Sequence, residues 1–265
     1  MAENIKGSPD PISWEQFEEE IEKEQQLTVK LELDHPQRKF PPLFRGQNKA
    51  SYFLETSLER YKKELPWERY HNILRSVEPA ILSLTSSQFK LEDFPGQFEG
   101  PQAPPGYAFM IYLRHHGFPS PLLDWTISPY VAAFFAFHKA GKEGNVAIFC
   151  YRDSVGHGRT DMLSQPHIYT LGSHAHTHKR HYQQQCEYTI CLKEPSKNNR
   201  IYCPYEDVRF GDEQDVLTKH IIPSRERKKV MAKLDLMNIN AYTLFGSEDS
   251  LVDMLAYREI EIRER

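Results

Sequence analysis

The chain has 265 residues, a formal net charge of −4 and 12% aromatic residues, with 18 prolines against 13 glycines. This length suits one large domain or two small ones, and the aromatic content excludes a disordered chain. The near-neutral charge excludes a whole-surface field for nucleic acid, so any such contact needs a local patch. No run of 18 apolar residues is present and residues 1–7 lack an apolar signal core, so no membrane contact is expected. Four cysteines without a CxxC pair point to reduced thiols and a cytoplasmic location.

In chain order, residues 1–35 read as an acidic helical segment. Ser13-Trp14-Glu15-Gln16 has the form of a capping box, and Phe17 and Ile21 fall on one face, as in a docked or partner-facing helix. Residues 36–265 are expected to form a single globular unit. Leu43-Phe44-Arg45-Gly46 reads as a short strand. Residues 58–90 look helical, with breaks at Pro66 and Pro79, and the Pro/Gly-rich stretch 93–106 reads as a loop. Residues 107–116 form an amphipathic helix stopped at Gly117. Ser128 and Pro129 start another, apolar nearly all round and therefore central and buried. Asn145–Tyr151 and Tyr188–Leu192 read as buried strands, and Ser224–Leu236 and Glu248–Tyr257 as late helices. This irregular interspersion predicts an α+β fold rather than a doubly wound sheet.

Four constellations carry candidate chemistry. Arg45 beside Gly46 in Phe44-Arg45-Gly46-Gln47 either forms an ion pair or aims its planar fork at a phosphate. In His115-His116 and Asp124-Trp125-Thr126, Asp124 and Ser128 read as capping groups, which leaves the His pair and Trp125 unexplained. On a strand, Gln185, Glu187 and Thr189 share one face and Cys186, Tyr188, Ile190 and Leu192 the other; the first set is either a solvated face or part of a cleft. His174, His176 and His178 alternate, but no carboxylate or Cys completes a metal set, so they read as a flexible loop or as a local stacking surface with Arg180. Arg225 and Arg227 to Lys229 add a second local positive cluster. P-loop, GxGxxG, GxSxG and EF-hand patterns are absent.

Phe44-Arg45-Gly46-Gln47 followed by His116-Gly117-Phe118-Pro119-Ser120-Pro121-Leu122-Leu123-Asp124-Trp125-Thr126 resembles the FRG-domain family, named for its Phe-Arg-Gly start. The family's usual signature runs Gln-His-Gly-x-Pro-Thr-Arg-Leu-Leu-Asp-Trp-Thr. Here His115 stands for the Gln, and Ser120-Pro121 for Thr-Arg. Arg180, Gln184, Ile222-Pro223-Ser224 and Leu244-Phe245-Gly246 are similar to the family's tail, so the resemblance spans about residues 43–255.

A second resemblance, to ADP-ribosyltransferases of the Arg–Ser–Glu type, supplies a chemistry. Those enzymes carry an Arg on an early strand, a Ser-Thr-Ser-like strand leading into a helix, and a Gln-x-Glu on a later strand. Arg45, Asp124-Trp125-Thr126 and Gln185-x-Glu187 follow that order, with Asp-Trp-Thr departing from Ser-Thr-Ser. The resemblance implies a split sheet core with surrounding helices, NAD as substrate and no metal. It implies Glu187, Gln185 and Arg45 as catalytic groups. Around NAD it sets Arg45, Gly46, Gln47, His116, Asp124, Trp125, Thr126 and Tyr188. His174, His176, His178 and Arg180 would face a macromolecular acceptor, with nucleic acid slightly ahead of protein. The implied setting is an intracellular toxin or phage-defence effector, whose acidic N-terminal helix would bind an antitoxin or chaperone. The competing expectations are a nuclease or phosphotransfer enzyme using His115, His116 and Asp124, and a non-catalytic nucleotide- or partner-binding module.

Overall fold

The computed structural model describes residues 5–37, 39, 41–85, 88–89, 91–94, 103–155, 163–172 and 179–262. In chain order the elements are α1 (Trp14–Asp34), β1 (Leu43–Gln47), β2 (Leu65–Pro66), α2 (Trp67–Leu84), α3 (Tyr107–His115), β3 (Leu123–Thr126) and α4 (Pro129–Phe137). There follow β4 (Asn145–Ser154), β5 (His167–Thr170), α5 (Lys179–Gln183), β6 (Cys186–Lys193), β7 (Ile201–Tyr202), β8 (Gln214–Pro223), α6 (Arg227–Leu236), α7 (Ala241–Phe245) and α8 (Glu248–Ala256). The strands pair antiparallel in the order β2-β7-β6-β3-β1-β4-β8, with β5 also along β6. The chain is thus α+β, as its pattern predicts. Among the described residues no helix is long and apolar enough to cross a membrane.

Local chemistry sets the helix starts. At α1, Ser13 Oγ accepts from Gln16 N–H at 3.2 Å while Gln16 Oε1 accepts from Ser13 N–H at 2.8 Å, the reciprocal capping box. At α4, Ser128 Oγ accepts from Val131 N–H at 3.3 Å, with Pro129 in the first turn. One expectation fails at the prolines. Pro66 stands before α2, but Pro79 lies inside it. Its ring sits on an exposed position and it forfeits one N–H donor, a cost the rest of an 18-residue helix tolerates. Residues 58–64, expected to be helical, are a turn followed by irregular chain, and residues 65–66 form β2.

Strand alternation divides the interior into three clusters. Phe44, Val146, Ile148, Cys150 and Ile222 face α4 together with Trp14, Phe17 and Ile21 of α1 and Val230 and Leu234 of α6. Leu43, Trp125, Phe149, Tyr151 and Leu217 lie in a second cluster with Tyr205 and Phe210. Cys186, Tyr188, Ile190 and Leu192 pack on α2 and α3 through Trp67, Tyr70, Leu74, Phe109 and Met110, the shared face that the strand reading predicts. Helix α1 is therefore docked, its aromatic stripe inside the same cluster as α4 and α6. Its acidic side pairs with α6, Glu15 with Lys229 and Glu18 with Lys233 at 2.5 Å.

Gly46 is fixed by packing. A Cβ there would lie 1.9 Å from the Ala132 carbonyl oxygen and 2.6 Å from the Ala136 nitrogen. Only glycine lets the α4 backbone rest directly on β1.

Candidate functional site

β1 and β3 are bonded through one register pair, Phe44 opposite Thr126. Beyond that pair the strands part, and the opening holds Arg45 and Asp124. Arg45 Nη1 donates to Asp124 Oδ1 at 2.8 Å and to the Asp124 carbonyl oxygen at 2.5 Å. Arg114 of α3 donates from Nη2 to the same Oδ1, and from Nη1 to Ser57 Oγ at 3.3 Å. Ser57 Oγ in turn accepts from Ser120 N–H at 3.0 Å. Both guanidinium side chains are about five-sixths buried, at 17% and 16% exposure, while Asp124 is 46% exposed. Burial pulls the Asp124 carboxyl upward, but the Arg114 and Arg45 charges and the Arg114 hydrogen bond outweigh it and hold it well below the usual carboxylate range. The trio carries one net positive charge. Arg114 has no counterpart in the sequence motifs; its signal was a single cation in the otherwise apolar face of Phe109–Leu113.

A cavity of about 310 Å³ opens beside this trio, walled by Arg45, Gly46, Gln47, Asp124, Trp125 and Thr126, with Gln184 and Cys186 completing it from the start of β6. A second cavity of about 660 Å³ shares Arg45, Gln47, Tyr52 and Arg60 with the first and continues along residues 51–55 to Glu59, Lys63 and Glu206. Both volumes fall in the range of small-molecule sites.

The expected site residues divide between this cleft and the interior. Thr126 is buried; its hydroxyl donates to the Gln184 carbonyl at 2.8 Å and accepts from Ser128 N–H at 3.1 Å. Trp125 packs on Tyr151 and donates from Nε1 to Thr189 Oγ1 at 2.9 Å. Gln47 Nε2 donates to the Phe53 carbonyl at 3.0 Å. Tyr188 lies fully inside the α2–α3 cluster, its hydroxyl 3.0 Å from His115 Nε2 and its ring stacked on buried His181. His116 is exposed at the end of α3, tilted on Tyr112. Glu187 stands opposite Trp125 in the β3–β6 register and points to the same side as that ring, one strand away from Arg45. Its side chain and that of Gln185 are not among the cavity walls.

Two strand-level expectations are corrected. Gln185 has φ 50° and lies before β6 rather than in it, so it does not share the Glu187 face by strand alternation. Its N–H donates to the Tyr182 carbonyl, closing the end of α5. Gln184, not Gln185, reaches the cavity; its Nε2 also donates to the Leu244 carbonyl at 3.0 Å. Arg180 Nε donates to the Phe245 carbonyl at 3.0 Å, so Arg180 and Gln184 together satisfy the end of α7, which Gly246 closes at φ 65°. His174, His176 and His178 lie outside the described residues.

Burial first, then the Asp124 charge, pushes Cys186 up to about 12, so it stays protonated near neutral pH. Glu59 is structural, its carboxylate accepting from the Thr56 and Tyr205 N–H groups, the latter at 3.1 Å. The positive cluster expected at residues 225–229 is largely neutralised: Arg227 pairs with Glu261 and caps the Phe137 carbonyl at 3.0 Å, and Lys229 pairs with Glu15 and Glu226. Among the described residues no cluster of three or more metal-ligating side chains is present.

Residues 41–145, from β1 to the first residue of β4, match the FRG domain. No curated protein and no solved structure matches the chain.

Proposed function

We propose that this chain is an NAD-dependent mono-ADP-ribosyltransferase acting on a macromolecule. One observation carries the reading: the strands bearing Arg45, Asp124-Trp125-Thr126 and Glu187 are distant in sequence yet are consecutive neighbours, β1, β3 and β6. The cleft opens between the first two and is walled from the third.

In this reading NAD enters the cavity beside Arg45 with its diphosphate toward the cationic Arg45 trio. Cleavage of the nicotinamide–ribose bond passes through an oxocarbenium-like state. Glu187, beyond Trp125, is the carboxylate that stabilises the developing positive charge. Asp124 is spoken for by two arginines and acts by holding Arg45 in place. No step requires a metal.

A nucleotide-binding module without turnover is the second reading, favoured by the cavity walls themselves, whose third side is Gln184 and Cys186. The nuclease reading has less support, since Asp124 is clamped, His115 is tied to Tyr188 and His116 points outward at the surface. Labelled NAD separates them. Transfer or NAD hydrolysis that Glu187→Gln and Arg45→Ala abolish supports the transferase. NAD binding without turnover, unchanged by Glu187→Gln, supports the module. RNA cleavage without NAD would sink both.

A further inference from the structure

We propose that the rim formed by Lys49, Tyr52, Phe53, Arg60 and Lys63 binds single-stranded nucleic acid. It rests on the transferase reading only for its role, which is to present the acceptor.

The segment 49–63 carries four cations, Lys49, Arg60, Lys62 and Lys63, against two carboxylates, Glu55 and Glu59, in a chain whose net charge is −4. Glu59 is occupied by two backbone N–H groups. Two aromatic rings stand out of the same segment, Phe53 at 72% exposure and Tyr52 at 48%, and Lys49 Nζ lies 5.6 Å from the Tyr52 ring centre. Tyr52, Phe53, Arg60 and Lys63 all line the larger cavity, together with the carboxylates of Glu55, Glu59 and Glu206, so rings and cations share one opening that leads to Arg45.

The backbone under the rings is fixed. Ala50 N–H donates to the Asn145 carbonyl at 2.8 Å, the Ala50 carbonyl accepts from Lys219 Nζ at 2.7 Å, and the Phe53 carbonyl accepts from Gln47. Held rings beside Lys and Arg side chains are the recognition chemistry of unpaired bases, which stack on aromatic faces while the phosphates meet Lys and Arg. A duplex hides its base faces and cannot use Tyr52 and Phe53 this way. Glu55 and Glu206 pair with Arg60 and Lys63 in the free protein, so phosphates bind by displacing these exposed partners.

The test is fluorescence anisotropy with a labelled 12-nucleotide oligouridylate and a duplex of equal length, without NAD, over a range of salt. The single strand should bind more tightly, with affinity falling as salt rises. Phe53→Ala should weaken it about tenfold or more, Phe53→Trp should restore it, and Lys63→Ala should flatten the salt dependence. Equal binding of the duplex overturns the proposal, as does a Phe53→Ala protein, folded by circular dichroism, that binds like wild type, or no single-strand binding in dilute salt. NAD hydrolysis by the wild-type protein, measured separately, reports on the transferase reading alone. Hydrolysis without oligonucleotide binding removes this surface and leaves that reading; binding without hydrolysis does the reverse.

Discussion

Arg45 and Asp124, 79 positions apart, meet through two contacts from one guanidinium nitrogen, 2.8 Å to the carboxylate and 2.5 Å to the main-chain carbonyl of the same residue. The arginine therefore reads both the charge and the backbone position of β3. Arg114 on the other side makes Asp124 a bridge between β1 and α3.

Removing the bridge has a pH signature. Asp124 is held below its unfolded value of about 3.9. Its contribution to stability is present above that value and is lost as pH falls through the lowered folded pKa. Arg114→Ala removes the larger opposing charge and raises the folded pKa. Its acid-unfolding midpoint, followed by circular dichroism, should move upward from wild type. An unchanged midpoint would show that Arg114 does not hold Asp124.

Asp124→Asn keeps the shape and leaves two buried guanidiniums facing each other. Breaking a fully buried pair costs about 3–5 kcal/mol. With Asp124 half-exposed, a loss of roughly 1–2 kcal/mol in urea unfolding is expected after allowing for solvent screening. On the transferase reading, NAD affinity should fall with it, because Arg45 loses its fixed pose.

Gly46→Ala should be among the most damaging single changes in the domain. Its Cβ would overlap the Ala132 carbonyl, a backbone group that moves only with the whole of α4. A loss at or above the top of the roughly 1–3 kcal/mol range for overpacking is expected by thermal or urea melts.

Glu187→Gln should reduce turnover by about 10²–10⁴-fold if the carboxylate supports bond cleavage, with NAD affinity changed far less. On the transferase reading, Arg45→Lys should mainly weaken NAD binding, because an ammonium lacks the planar fork that matches a diphosphate. Calorimetry and single-turnover assays with labelled NAD separate these effects.

Helix α1 is held by its rings and by the largely buried Glu24–Arg152 pair rather than by its exposed charges. Trp14→Ala should cost about 3–5 kcal/mol, since Trp14 is 1% exposed among Phe17, Tyr130 and Phe137. Lys229→Ala, which removes the ion pair with Glu15, should cost under about 1 kcal/mol because both partners are exposed. Urea unfolding of the two variants makes the comparison.

Signals confined to a few neighbouring residues were readable in the sequence. The Ser13 box, the Ser128-Pro129 start, the apolar α4 and the alternation of Cys186 to Leu192 all depend on contacts within one or two turns. Helix α2 shows the limit: a proline-based break fails at Pro79, because an exposed site absorbs one missing donor. Gln185 shows another, because a left-handed residue at the strand entrance shifts the face by one position. The order β6-β3-β1 and the role of Arg114 rest on pairings between distant segments. A two-residue period in one strand does not specify its neighbour, and a lone helical arginine does not name its carboxylate.

The triplet Phe44-Arg45-Gly46 divides its labour three ways. Phe44 fills the core, Arg45 reaches the opening and Gly46 gives α4 its seat. Two of the three letters thus answer to architecture and only one to the opening. The triplet by itself therefore specifies a scaffold, and what the opening can hold is decided by the lining around Arg45.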